Sequence, residues 1–145
     1  MKACRMSVWV LIFLIAAAGN VCGGEKGKSL FVNLTSNEMN RAAMAINFAT
    51  RVRIQQQIPV TIFLNVDGVR LVDRNIPGST HVNGKSLQEM LKEFMAAGGQ
   101  VIACPMCMKN VGGMTNADLI DGVKIGSSKV TWPALFADNT TVLNY

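Results

Sequence analysis

Short β-branched runs separated by capped helical stripes constrain this chain more than any other feature. Residues 29–34 (SLFVNL), 60–66 (VTIFLNV) and 100–103 (QVIA) are apolar runs with the residue types that favour strands. Between the first two, Thr35-Ser36-Asn37-Glu38 follows the S/T-x-x-E pattern of a capping box. Met39, Ala42, Ala43, Ile46 and Ala49 follow it at helical spacing. Ser86-Leu87-Gln88-Glu89 repeats the capping pattern ahead of a stripe of Leu87, Met90, Leu91, Phe94 and Met95, which Gly98 and Gly99 close. A helical start at Thr115 or Asn116, a short strand at 123–126, a helix over 131–137 and a closing strand at 140–145 complete the pattern. Strands that alternate with helices predict an α/β domain whose parallel sheet is covered on both faces. Right-handed crossovers gather the C-terminal ends of the strands on one edge, where such folds place their sites. The third run delivers Cys104 to that edge.

The connections carry turn signals. Asp67-Gly68 marks a turn, leading over 69–72 into either a hairpin or a loop. Residues 74–85 (RNIPGSTHVNGK) read as a long surface loop holding His81, the single histidine. Met39, Met44, Met90 and Met95 fall on helical stripes and are expected to fill the core.

The chain has 145 residues, the size of one ordinary domain, and half of it is apolar. Lys2 and Arg5 precede the unbroken apolar run 8–18 and small residues follow, the layout of a secretory signal. Val21 and Gly23 suit the −3 and −1 positions of a cleavage site, giving a signal at 1–23 and a single domain at 24–145. The expected location is the periplasm or the exterior, with no stable membrane insertion after cleavage. Val21 beside Cys22 makes a poor lipobox, so a lipoprotein or anchored form is the lesser expectation. The formal charge of +5 falls to +3 once Lys2 and Arg5 are removed. The remaining basic residues are scattered and aromatics are scarce, which argues against a nucleic-acid partner.

Only Cys104 and Cys107 remain beyond that segment, in the stretch Cys104-Pro105-Met106-Cys107-Met108-Lys109. One close pair is not a disulfide scaffold, and closing so small a loop gains little chain entropy. A thiol between a strand and a helix start meets backbone N–H groups that favour thiolate, the nucleophile. A second thiol three positions on is placed to form a disulfide or to resolve a persulfide. Lys109 is a candidate for tuning charge at the site. His81 is a candidate proton donor or metal ligand, should its loop fold over the sheet edge. A soft-metal site of the Cu(I) type, built from Cys104, Cys107, Met106 and Met108, is the competing reading. Met106 and Met108 alternate along the chain, which sets at least one of them towards the interior. A local disulfide or an inert pair, as in a non-catalytic oligomeric assembly protein, is the third. Thioredoxin-like placement is disfavoured because most of the chain precedes the motif, and the lack of a second C-x-x-C excludes a four-cysteine zinc site within one subunit. Asp118 and Asp121 read as helix-start and surface charges, and Trp132 and Pro133 as packing residues against the sheet or a neighbouring subunit.

Cys104 to Met108, the following Gly112, the block Asp118-Leu119-Ile120-Asp121-Gly122-Val123 and the closing Thr141-Val142-Leu143 together resemble the DsrE/DsrF-like sulfur-relay family. AMAINFA (43–49) and FLNVDGV (63–69) are similar as well. The resemblance, running from Leu30 to the C-terminus, implies a three-layer α/β/α sandwich around a mostly parallel, five-stranded sheet. It also implies a homo-oligomer, trimer or hexamer, and a sulfur donor or acceptor as partner, either a protein or a small sulfur species. In relay members the sulfur-accepting cysteine stands eight residues before the family's glycine, the relation of Cys104 to Gly112. The resemblance therefore gives Cys104 the sulfur-accepting role; Cys107 matches the extra cysteine of a C-x-x-C-M subgroup, and its spacing makes it the expected resolving thiol. No resident cofactor is expected; the alternative, from the soft-donor reading of the motif, is copper.

Overall fold

The computed structural model describes residues 27–145; the expected signal, its cleavage site, Cys4 and Cys22 lie outside them. Five strands form one sheet in the order β4-β3-β2-β1-β5, and every neighbouring pair is parallel. The strands are β1 (Ser29–Leu34), β2 (Val60–Leu64), β3 (Gln100–Ala103), β4 (Lys124–Ile125) and β5 (Thr140–Asn144). Helix α1 (Met39–Gln56) joins β1 to β2, α2 (Leu87–Ala96) precedes β3, and α4 (Thr131–Leu135) precedes β5. The short α3 (Pro105–Cys107) follows β3 and runs on as a π-helical turn at Met108–Gly112.

The main core lies on one face of the sheet. Leu30, Val32 and Leu34 of β1, Val60, Ile62 and Leu64 of β2, and Val101 and Ala103 of β3 pack there against Ala42, Ile46 and Ala49 of α1 and Leu91 and Phe94 of α2. Period-two alternation sends Phe31, Thr61, Phe63 and Ile102 to the other face. There the rings of Phe31 and Phe63 lie 5.9 Å apart. The expected third layer is present but thin. Val130, Pro133 and Ala134 border, with Thr61 and Gln100, an open cleft of about 410 Å³ between α4 and the sheet.

Helix α2 starts as the sequence requires. Ser86 Oγ accepts from the Glu89 N–H and the Glu89 carboxylate accepts from the Ser86 N–H, a reciprocal capping box. The Ser86 N–H and the Ser86 hydroxyl, both bonded to the Glu89 carboxylate, hold that carboxyl below its usual range. The first expected box is corrected. Glu38 itself caps α1, accepting from the N–H groups of Asn40 and Arg41. Thr35 is drawn away because its hydroxyl donates to the Tyr145 carbonyl, which joins β1 to the end of β5. Asn116–Asp118 forms only a 3₁₀ turn, boxed by Thr115 and Asp118.

Residues 69–72, read as hairpin or loop, belong instead to a 3₁₀ helix, Val66–Val72. It crosses the end of β1 so closely that a Cβ on Gly68 would sit 2.3 Å from the Leu34 carbonyl oxygen. Only glycine allows that approach. Met90 is buried, and Met39 and Met95 are half-buried against the core, but Met44 is 61 % exposed. Its helical stripe faces water because Ala42, Ala45, Ile46 and Ala49 take the core side of α1.

Candidate functional site

The thiols sit where β3 ends. The Cys104 N–H donates to the Leu64 carbonyl at 2.9 Å, which continues the β2–β3 ladder one residue beyond the strand. Pro105 then sets the first helical position, and the Met108 N–H closes the turn onto the Cys104 carbonyl at 2.9 Å. Cys104 is the N-cap residue and its side chain makes no capping hydrogen bond. The helical run is short, so its dipole adds little thiolate stabilisation. Cys104 and Cys107 are both half-buried and both free, and they form a close pair.

The two cysteines are not equivalent. Burial pushes the Cys107 thiol above its ordinary range, and the contact with Cys104 pushes in the same direction. The backbone N–H of Val66 faces the Cys107 sulfur and opposes both by favouring the thiolate. Val66 has φ +48, the left-handed region, which a β-branched side chain avoids. It is held there from both ends. The Asn65 N–H donates to the Leu34 carbonyl at 3.1 Å, and Gly68 N–H donates to the Asn65 and Thr35 carbonyls at 2.9 and 3.1 Å. Further along the same 3₁₀ helix, Arg70 Nη2 donates to the Val111 carbonyl at 2.6 Å, tying it to the turn that follows the thiols.

An asparagine ladder lies beside these groups. Asn65 Nδ2 donates to Asn33 Oδ1 at 2.8 Å, and Asn33 Nδ2 donates to Asn144 Oδ1 at 2.9 Å. The Asn65 Oδ1 atom is buried and accepts nothing from the described residues. The ladder spans the ends of three strands distant in sequence and has no local signal. Nor has the Val66 conformation: Asp67-Gly68 marks a turn but leaves the residue before it unspecified.

Other candidates are placed as follows. Met108 is 2 % exposed and belongs to the core, whereas Met106 is 70 % exposed. A soft-metal reading therefore keeps Cys104, Cys107 and Met106, with the Met108 thioether committed to packing. Lys109 is exposed on the π-helical turn. His81 is partly buried in its own loop, where its N–H donates to the Lys85 carbonyl and its ring nitrogen accepts from Asn83 N–H. Its contacts are local rather than with the thiols. Asp118 accepts from Thr115 and Asn75, which lowers its carboxyl below the usual range, and the fully exposed Asp121 pairs with Arg74 at 3.1 Å. Trp132 is 60 % exposed in the single chain. No group of three or more histidine, cysteine or acidic side chains among the described residues is arranged to hold a metal ion. No helix among them is long and apolar enough to cross a membrane.

The family model of the DsrE/DsrF-like family matches residues 28–144. The chain belongs to that family. Its fold is also that of solved relatives. The ychN protein of E. coli superposes with a TM-score of 0.64 at 26 % identity, covering 81 % of this chain and 98 % of that one. MTH1491 of Methanobacterium thermoautotrophicum, described as a protein of unknown function, superposes with the same score of 0.64 at 13 % identity, over 81 % and 99 % of the two chains. Comparison with curated protein sequences gives no match. Membership relates the chain in general to sulfur relay, and the close Cys104–Cys107 pair is the group in it suited to sulfur chemistry.

Proposed function

We propose that this protein accepts sulfur on Cys104 as a persulfide and that Cys107 is the resolving thiol. The observation that carries the reading is the pair itself: two free, half-buried, closely spaced thiols at the C-terminal edge of a parallel sheet in a DsrE-like chain. Burial and the Cys104 contact disfavour the Cys107 thiolate, so we assign Cys104 as the entering nucleophile. The partner is a sulfur donor or acceptor, protein or small molecule. We place the mature protein in the periplasm or outside the cell, working as a homo-oligomer without a resident cofactor.

Cyanolysis tests the acceptor role. After exposure to a low-molecular-weight persulfide and desalting, Cys107→Ser is expected to yield one equivalent of thiocyanate per chain. Cys104→Ser is expected to yield none. Equal yields from the two variants would overturn the assignment of Cys104.

A further inference from the structure

Resting on that acceptor reading, we infer that the pair also discharges its sulfur by reduction: the protein converts sulfane sulfur to hydrosulfide and is left with a Cys104–Cys107 disulfide. Three observations support this. Cys104 caps the single helical turn that Cys107 ends, and the two form a close pair, so Cys107 reaches the inner sulfur of a Cys104 persulfide without movement of a separate element. The β3 terminus and the first helical turn fix Cys104 through the Leu64 and Met108 backbone hydrogen bonds, and Arg70 ties the following turn at Val111. The backbone N–H of Val66 faces the attacking sulfur, where it steadies negative charge as the proton leaves.

The step balances without an outside oxidant. In loading, the Cys104 thiolate attacks the outer sulfur of a persulfide, forms the new S–S bond and expels the donor's thiolate. In discharge, Cys107 sulfur attacks Cys104 Sγ, the Cys104–outer sulfur bond breaks, and the outer sulfur departs with that electron pair. The proton of the Cys107 S–H goes to the departing sulfur, which leaves as hydrosulfide. The sulfane sulfur has gained two electrons and the two thiols have lost them. An external dithiol must reduce the disulfide before a second turnover. A chain with only the acceptor thiol would hold its sulfur until a partner took it. This one carries its own reductant for a single discharge.

The experiment is a single turnover. Fully reduced wild type, Cys107→Ser and Cys107→Ala are mixed under argon with one equivalent of glutathione persulfide labelled with heavy sulfur at the terminal position. Wild type is expected to release one equivalent of labelled hydrosulfide and to lose the mass of two hydrogens. Both variants are expected to keep the labelled sulfur on Cys104 and release none. Wild type that retains a stable persulfide, as the variants do, would overturn the discharge step and leave the acceptor reading standing. Variants that take up no sulfur would overturn the acceptor reading itself.

Discussion

At the scale of single residues, the site depends on a backbone conformation that its sequence disfavours. Val66 is 47 % exposed, so its side chain contributes little burial to offset a left-handed φ. Such strain costs on the order of 1–3 kcal/mol. Glycine adopts this φ freely, at an entropic cost of about 0.5–1 kcal/mol. Val66→Gly is therefore expected to be neutral or to stabilise by up to about 1 kcal/mol in chemical denaturation. A loss larger than about 1 kcal/mol would show that Val66 is not strained.

Cys107 gives a second residue-scale prediction. Its thiol is raised in the folded chain, so above the ordinary thiol range the unfolded chain has released a proton that the folded chain retains. The stabilising contribution is full below the unfolded-state value and is lost as pH climbs through the folded-state value. Denaturation midpoints followed against pH are expected to decline across that alkaline window in wild type. The decline should be smaller in Cys107→Ala. Identical profiles would mean that burial does not govern this thiol.

At the scale of elements, what could be read in the sequence depended on how local the determinants were. The Ser86–Glu89 box was legible because both partners lie within one turn and nothing distant competes for them. Thr35 had the same apparent pattern, but the end of β5 claimed its hydroxyl from across the chain. Likewise, the helical period at Met44 was real, and only the packing of α1's alanine-rich side decided which stripe turned inward. Ser86→Ala is expected to cost about 1 kcal/mol by removing the cap. Gly68→Ala is expected to cost about 1–3 kcal/mol, because its methyl would meet the Leu34 carbonyl. The same change would push away the 3₁₀ helix that carries Val66. Faster alkylation of Cys107 in Gly68→Ala than in wild type would report that displacement, whereas an unchanged rate and stability would mean the contact is not rigid.

At the scale of the whole molecule, the parallel sheet and the edge that carries Cys104 follow from alternation and handedness, whereas the strand order β4-β3-β2-β1-β5 could not be read from the sequence. Nor could the asymmetry of the layers. It arises because the β4–β5 connection contributes only the five-residue α4 to the second face. Trp132, Phe136 and Val142 remain exposed at 60, 73 and 43 % in the single chain. Exposed apolar side chains of this kind are common where chains associate, and the proposed trimer or hexamer would cover some of them. Sedimentation of the mature chain is expected to show such an assembly, while a monomer at all concentrations would contradict it. The site was half legible: the spacing of the cysteines is local, but their inequality comes first from the burial of Cys107 by packing, opposed by the Val66 N–H on a segment some forty residues earlier.

The most direct measurement of the acceptor claim is intact-mass spectrometry of reduced Cys107→Ser, purified under argon and treated with a sulfane-sulfur donor, beside Cys104→Ser. A gain of one sulfur's mass in the first and none in the second is the predicted result. No sulfur adduct in either, with a copper ion retained by wild type and lost from both variants, would contradict it and make the pair a soft-metal site.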